Sequence, residues 1–181
     1  MTHPPYIFQS ERLGFRIWCE ADYEPFAALN ADSIVMEHFP APRTREQSDQ
    51  SIVRFMEIHK ASGYTFFAVD VLASKEFIGF IGLIPISFEA HFTPGTEIGW
   101  RLKKDAWGKG YATEGANACL DFAFQRLGID EVFSFTAHSN WRSERVMQRI
   151  GMEKVGEFDH PKLSRGHFLE RHVLYSIKAG E

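Results

Sequence analysis

Cysteines, long apolar runs and an excess of one charge are scarce or absent in this sequence, and each lack excludes a class of protein. The two cysteines, Cys19 and Cys119, provide neither a disulfide framework nor metal-ligand spacing, so we expect reduced thiols and no bound metal. No run approaches the roughly 18 apolar residues that a membrane helix needs. A formal net charge of −4 disfavours a broad nucleic-acid-binding surface. We therefore expect no metal, membrane or nucleic-acid partner.

The composition is that of a globular protein of moderate size. Apolar residues make up 44% and charged residues 24% of the 181 positions, which is typical of such proteins. A chain of this length usually forms one domain with a substantial core, so we expect a single domain over residues 1–181. The first residues, Met1–Pro5, lack the basic start and apolar core of a signal peptide, which predicts a cytoplasmic protein.

Hydrophobic periodicity predicts seven strands and four helices in the order β-α-α-β-β-β-α-β-α-β-β. The predicted strands are Leu13–Trp18, Thr65–Leu72, Phe77–Phe88, Thr96–Leu102, Val132–Ala137, Glu153–Phe158 and His167–Ile177. The predicted helices begin near Glu20, Thr44, Tyr111 and Trp141. Short loops between the second, third and fourth strands predict antiparallel neighbours. The fourth and fifth strands are separated by a helix and are therefore expected to run parallel through a crossover.

The segment Trp107–Thr113 is the strongest chemical signal, because it lies between a predicted strand and a predicted helix. Gly108 and Gly110 allow a tight turn with uncovered N–H groups, and the helix adds free N–H donors at its start. Such a turn suits a phosphate-bearing ligand, although glycines needed only for chain direction are the alternative. A Rossmann fingerprint would place a third glycine at Thr113, and the P-loop pattern is absent, so neither nucleotide fold is expected.

Four segments together resemble the GNAT superfamily of acyl-CoA-dependent N-acyltransferases. They are Glu97–Trp100, Ala106–Glu114, Asn140–Ser143 and Gln148–Met152. The resemblance is greatest to the branch of ribosomal-protein N-terminal (alanine/serine) acetyltransferases. It implies an α/β (α+β) fold with a central mixed, mostly antiparallel sheet of about seven strands. That sheet is splayed between strands 4 and 5 and carries helices on both faces.

The resemblance also implies acetyl-CoA as co-substrate, with no metal. Its pyrophosphate would lie on the turn that Trp107 begins, against the N–H groups of Gly108, Lys109, Gly110, Tyr111, Ala112 and Thr113. Its pantetheine arm would pair as an added strand with Ile98, Gly99, Trp100, Arg101 and Leu102. Backbone N–H groups near Gly99, Trp100 and Arg101 would then polarise the thioester carbonyl as an oxyanion hole.

The catalytic candidates are three polar residues near the expected splay. Glu97 is the candidate general base, and a solvated strand charge is the alternative. Asn140 is expected to hydrogen-bond pantetheine, to cap the following helix, or both. Ser143 is the candidate proton donor to the CoA sulfur, or it simply lines the first helical turn. Many GNAT members have a tyrosine acid where this sequence has Met147, which cannot donate a proton.

The acceptor is predicted less sharply than the donor. An α-amine, with a pKa of about 7.7–8.0, needs only a weak base, which favours a protein or peptide N-terminus. The alternatives are a small amine (a polyamine, amino acid or antibiotic) and a non-catalytic acyl-CoA-binding module. The expected acceptor walls are the segment Ala31–Arg43 and the loop Asp159–His167. The basic side chains of that loop, which either receive an acidic acceptor or are only solvated, are His160, Lys162, Arg165 and His167. We expect a monomer or homodimer.

Overall fold

A mixed eight-stranded sheet is the centre of the fold. The computed structural model describes residues 5–180, so four of the five residues inspected for a signal peptide lie outside it. The strands are β1 (Phe8–Gln9), β2 (Leu13–Arg16), β3 (Phe66–Val71), β4 (Glu76–Pro85), β5 (Thr96–Leu102), β6 (Glu131–Ala137), β7 (Glu153–Asp159) and β8 (Arg171–Lys178). Their order is β1-β2-β3-β4-β5-β6-β8-β7. The β5–β6 pair is parallel and its neighbours β4–β5 and β6–β8 are antiparallel, which confirms the predicted crossover.

Helices cover both faces of this sheet. They are α1 (Tyr23–Ala31), α2 (Arg45–Ser62), α3 (Tyr111–Asp121, continued by a π-helical turn over Phe122–Arg126) and α4 (Trp141–Arg149). On one face, Phe26 of α1 and Phe55 of α2 pack with Phe80 of β4. On the other, Cys119 of α3 and Met147 of α4 belong to the larger core cluster. In residues 5–180, no helix is both long and apolar enough to cross a bilayer.

Local signals placed most element ends correctly. Thr44 accepts the N–H of Gln47 and caps α2, as the capping-box pattern predicts. Gly63 ends that helix with φ +82°, a conformation that favours glycine. Several strand bounds differ from the prediction. The two-residue strand β1 was not predicted, β2 ends at Arg16 rather than at Trp18, and β4 ends at Pro85 rather than at Phe88. Strand β8 begins at Arg171 rather than at His167, because residues 160–170 form turns.

A buried ion cluster links β2 to β3. Arg16 is fully buried and donates from Nε to Asp70 Oδ2 at 2.7 Å and from Nη1 to Asp22 Oδ2 at 2.7 Å. Burial alone would lower the pKa of Arg16, but the bonds to Asp22 and Asp70 raise it above its ordinary value. Because both carboxylates are also buried, each charge depends on the others for compensation.

Candidate active site

The sheet opens between β5 and β6 because their pairing is only two residues long. Thr96 pairs with Val132 and Glu97 with Phe133, and β5 then continues to Leu102 without a registered partner on that side. Strands β5 and β6 are the fourth and fifth of the seven strands expected from the sequence. The predicted splay is therefore present and begins at Glu97.

The backbone N–H and carbonyl of Trp100 lie in this opening, between the carbonyls of Ile98 and Leu102, which both accept hydrogen bonds from side chains. Ser134 Oγ donates to the Ile98 carbonyl at 3.0 Å. The indole Nε1 of Trp107 donates to the Leu102 carbonyl at 2.8 Å. Successive peptide groups of a strand point to alternate sides, so the N–H and carbonyl of Trp100 point to the same side as those two carbonyls. The N–H donor and the carbonyl acceptor of Trp100, which have no strand partner among residues 5–180 on that side, thus face the opening between β5 and β6.

Of the three residues whose N–H groups were expected to form the oxyanion hole, Gly99, Trp100 and Arg101, one has the required orientation. Lys103 N–H donates to the Ile78 carbonyl of β4 at 2.9 Å, and by alternation the peptide groups of Gly99 and Arg101 also face β4. Of these three residues, only Trp100 directs its N–H into the opening. The expectation that the amides of Gly99 and Arg101 take part is therefore corrected.

The glycine turn leaves its amides uncovered. Gly108 and Gly110 have φ values of +74° and +80°, and no atom lies within 4 Å of where a Cβ of Gly108 would stand. The first backbone hydrogen bond of α3 runs from Glu114 N–H to the Gly110 carbonyl at 3.0 Å. The N–H groups that precede it, within the described residues, have no helical partner. The geometry is that of a phosphate site.

The start of α4 borders the same opening. Asn140 Oδ1 accepts the N–H of Ser143 at 3.3 Å, and its Nδ2 donates to Thr136 Oγ1 at 2.9 Å. Asn140 is therefore the helix cap, and one lone pair of Oδ1 remains for a ligand. Met147 is almost fully buried and adds an apolar wall. Ser143, half-buried, is the hydroxyl side chain that α4 presents to this cavity.

One cavity of about 840 Å³ joins these parts. It is lined by Glu97, by all five residues from Ile98 to Leu102, and by Asn140 and Ser143. Of the predicted phosphate-binding residues Trp107–Thr113, all but Lys109 line it. Fourteen of the fifteen predicted site residues are thus brought together, and Lys109 is the exception.

The carboxyl group of Glu97 lies at the floor of this cavity. Burial raises the pKa of Glu97 to about 8, although the charges of Lys162 and Arg54 lower it. A Cβ at Gly99 would stand 3.6 Å from Glu97 Oε1 and 3.0 Å from the Phe66 ring, so the glycine keeps the approach to this carboxyl open. A carboxyl group with such a pKa is mostly protonated at pH 7, yet its conjugate base is strong enough for general-base catalysis.

Both loops that were expected to form the acceptor walls border the cavity. The α1–α2 loop contributes His38, whose Nδ1 lies 3.2 Å from Ser139 Oγ, and Phe39, whose ring lies 4.1 Å from the Arg101 guanidinium. The β7–β8 loop contributes His160 and Lys162, whereas Arg165 and His167 do not line the cavity. The predicted basic cluster is therefore only half directed inward.

Comparison with known proteins decides the family. Residues 12–153 match the family model described as an acetyltransferase (GNAT) domain. The chain belongs to the GNAT acetyltransferases. It is 29% identical over 150 residues to the N-acetyltransferase YnaD of Bacillus subtilis (strain 168), covering 82% of this chain and 84% of that protein.

Two solved structures share the GNAT fold. The ribosomal-protein-S5-alanine acetyltransferase from Vibrio fischeri has a TM-score of 0.72 at 22% identity, covering 96% of this chain and 97% of that chain. The spermidine N-acetyltransferase from Vibrio cholerae, in complex with CoA and spermine, has a TM-score of 0.73 at 20% identity, covering 92% and 95%. As a GNAT enzyme, this chain acetylates an amine.

Several side chains that shape this GNAT site were not found from the sequence. Ser134 crosses the start of the opening, and the one available signal was a serine between two phenylalanines in the predicted strand. Arg54 and Ser87 also line the cavity. They come from α2 and from the loop between β4 and β5, which are far apart in sequence, so only the fold places them together.

Proposed function

We propose that residues 1–181 act as one domain that transfers the acetyl group of acetyl-CoA directly to an amine, with the α-amine of a protein or peptide N-terminus as the preferred acceptor. The observation that supports this proposal most directly is the backbone N–H and carbonyl of Trp100, which have no strand partner on the β6 side among the described residues. They stand in the sheet opening, in the same cavity as the glycine turn and Glu97. Acetyl-CoA supplies the activated acyl group as a thioester.

The donor side of the cavity fits an acyl-CoA. The uncovered amides of residues 108–113 suit the pyrophosphate. The open edge at Trp100 suits the amide-rich pantetheine arm, which would add as a strand where β6 has turned away. We assign to the Trp100 N–H the role of donor to the thioester carbonyl oxygen. Asn140 and Ser143 border the position of the sulfur.

The acceptor side supplies a base whose strength matches an α-amine. The pKa of Glu97, about 8, is close to the 7.7–8.0 or so of an α-amine, so proton transfer between them is nearly balanced. The amine nitrogen attacks the thioester carbon from about 3–3.5 Å, and its proton passes to the Glu97 carboxylate. The C–S bond breaks and CoA leaves as a thiolate, which takes a proton from Ser143 or solvent. Since thiol pKa values lie near about 8.5, this last step needs little assistance.

A small-molecule amine is the second candidate, because the same base and donor edge would serve it. Thiol release from acetyl-CoA separates the two, using peptides with a free α-amine, the same peptides with that amine blocked and a free lysine, and a panel of amino acids, polyamines and aminoglycosides. The proposal predicts the highest kcat/KM for the free α-amine peptides. Acetyl-CoA binding without thiol release from any amine would overturn it, and faster turnover of the small amines would favour the second candidate.

A further inference from the structure

Four cationic side chains line the acceptor side of the cavity: Arg43, Arg54, Arg101 and Lys162. We call them the basic row. They come from the loop before α2, from α2 itself, from β5 and from the β7–β8 loop. Neighbouring charges act on one another, since Arg43 helps to lower the pKa of Arg101, and Arg54 helps to lower those of Arg43 and Lys162, in each case after burial. The four charges therefore act within one part of the cavity.

The basic row has no acidic partner. Among residues 5–180, none of its four members has a nitrogen within 4.0 Å of a carboxylate oxygen, whereas Arg12, Arg45 and Lys103 elsewhere on the protein all do. Among the described residues, two carboxyl groups line the cavity. Glu37 pairs with His38 and Arg142, and Glu97 is kept mostly neutral at pH 7 by its raised pKa. The row is thus a positive surface without a carboxylate partner, and three of its members, Arg43, Arg54 and Lys162, are exposed to solvent.

Two members of the row converge on one neutral hydroxyl. Lys162 Nζ donates to Ser87 Oγ at 2.7 Å, and Arg54 Nη2 donates to the same oxygen at 3.3 Å. A hydroxyl oxygen offers two cations far less than a carboxylate does. Both side chains line the same cavity as Glu97, the proposed base, and their charges lower its pKa.

A third member is incompletely bonded. Arg101 donates from Nη1 to Asn30 Oδ1 at 2.7 Å, and its guanidinium stacks on the ring of Phe39. Its Nε is buried and, among the described residues, has no hydrogen-bond partner. Leaving a buried charged group unsatisfied is costly, and a negative charge bound nearby in the cavity would offset part of that cost.

We propose that the acceptor is an acidic amine: its amino group approaches Glu97 while a carboxylate close to that amine binds Arg54, Lys162 and Ser87. This deepens the proposed function and rests on it. A polyamine would bring further positive charge against the row and is expected to be a poor acceptor. A free amino acid, through its α-carboxylate, and a peptide with acidic first residues both supply the required chemistry.

Matched acceptors that differ only in charge test the proposal. One arm compares the peptides Ala-Glu-Ala-Ala and Ala-Gln-Ala-Ala, both with amidated C-termini. The other arm compares free alanine with alaninamide, with rates expressed per neutral amine. We expect the acid of at least one pair to have a kcat/KM higher by roughly tenfold or more, the usual worth of a charge-assisted hydrogen bond. The arm that shows this preference identifies the source of the carboxylate.

Variants then assign the preference to the row. Arg54→Gln and Lys162→Met are expected to raise KM for the acid about tenfold relative to KM for the amide. Because either change also removes a charge that lowers the pKa of Glu97, acid and amide are compared within each variant at the same pH. The controls are Lys60→Gln on the same helix and Arg165→Gln on the same loop, neither of which lines the cavity. Equal use of acid and amide by the unaltered enzyme, or equal losses on both in the variants, would overturn the acidic acceptor while leaving amine acetylation intact. Turnover of no amine would overturn both proposals.

Discussion

Arg12 and Glu114 are 102 residues apart in the chain and are joined by two hydrogen bonds. Arg12 Nε lies 2.6 Å from Glu114 Oε2, and the backbone N–H of Arg12 donates to Oε1 at 2.7 Å. Arg12 Nη1 also donates to the Lys109 carbonyl at 3.0 Å. Partial burial would raise the pKa of Glu114, but hydrogen bonds from Ser10 and Arg12 lower it. Arg12, in the connection between β1 and β2, thus bonds both to the glycine turn, through Lys109, and to the first turn of α3, through Glu114.

Arg12→Met is therefore expected to weaken donor binding without altering the chemistry. The ion pair is partly exposed and contributes modestly, so we expect KM for acetyl-CoA to rise about three- to fivefold with kcat within about twofold. Arg126→Met, an exposed change after the far end of α3, is the control. Steady-state kinetics at low and high salt measure both, and an unchanged KM would remove the bracing role from Arg12.

Gly110→Ala is expected to raise KM for acetyl-CoA by about tenfold, because φ of +80° disfavours a side chain and the turn must shift. Gly128→Ala is a matched control. Gly128 also has a positive φ, +65°, with open space around it, but it lies outside the cavity. Both variants should lose about 1 kcal/mol of unfolding free energy. A similar KM effect in both would mean that general strain, and not the turn, is responsible.

Glu97→Gln is expected to lower kcat by roughly 10²–10⁴-fold, the usual contribution of a general base. For the unaltered enzyme, kcat/KM should rise with pH and level off near the Glu97 pKa of about 8. The variant should lose the part of that rise that belongs to the carboxyl group. Profiles with a single acceptor from about pH 6 to 9.5 test this, and superimposable shapes would remove Glu97 from the base role.

The same substitution is expected to stabilise the protein at high pH. The pKa of Glu97 is raised in the folded state to about 8, so folding favours the protonated form. Below the unfolded pKa, near about 4.3, both states are protonated and the residue has no effect. As pH rises from there to about 8, stability is progressively lost, and Gln at this position avoids that loss. The difference in melting temperature between variant and parent should therefore grow with pH across this window and then level off. A constant difference would show that the carboxyl is not perturbed.

Asp70→Asn is expected to destabilise the protein by about 3–5 kcal/mol, because it leaves Arg16 buried with one partner fewer. Asp49→Asn is the control, since Asp49 pairs with Arg45 on the exposed face of α2 and should cost less than about 0.5 kcal/mol. Urea unfolding with a shared m-value measures both. Equal effects would mean that Arg16 is compensated by Asp22 alone.

The parts of the fold that sequence predicted well are those with local causes. The strand–turn–helix over Thr96–Thr113 and the cap at Asn140 are decided by residues within a few positions of each other. Strand β1, with two residues, is too short for any periodicity, and its Phe8 packs against Phe67 and Phe122, which are far along the chain. The start of β8 was misplaced because the turns of residues 160–170 have no repeating pattern.

The residues of the candidate site also fall into two groups: those with local sequence signals and those brought together only by the fold. The residues proposed to hold the donor could be predicted to lie together because one contiguous segment, Trp107–Thr113, contains about half of them. The acceptor side depends on Arg54, Ser87 and Lys162, which meet only after the sheet and α2 have assembled. The chemistry of Glu97 follows from burial, which the residue type does not reveal.

Because the pairing between β5 and β6 is short, acetyl-CoA bound in the proposed site would stabilise the folded enzyme. Two halves of one sheet are held together along that seam by two registered residue pairs and the Ser134–Ile98 bond. A donor lying in the proposed site contacts both halves and binds only the folded chain. At a hundred times its dissociation constant it would add about 2.7 kcal/mol to the free energy of unfolding. Resistance to proteolysis would then rise and fall with the supply of acetyl-CoA, making substrate abundance a determinant of how much enzyme persists.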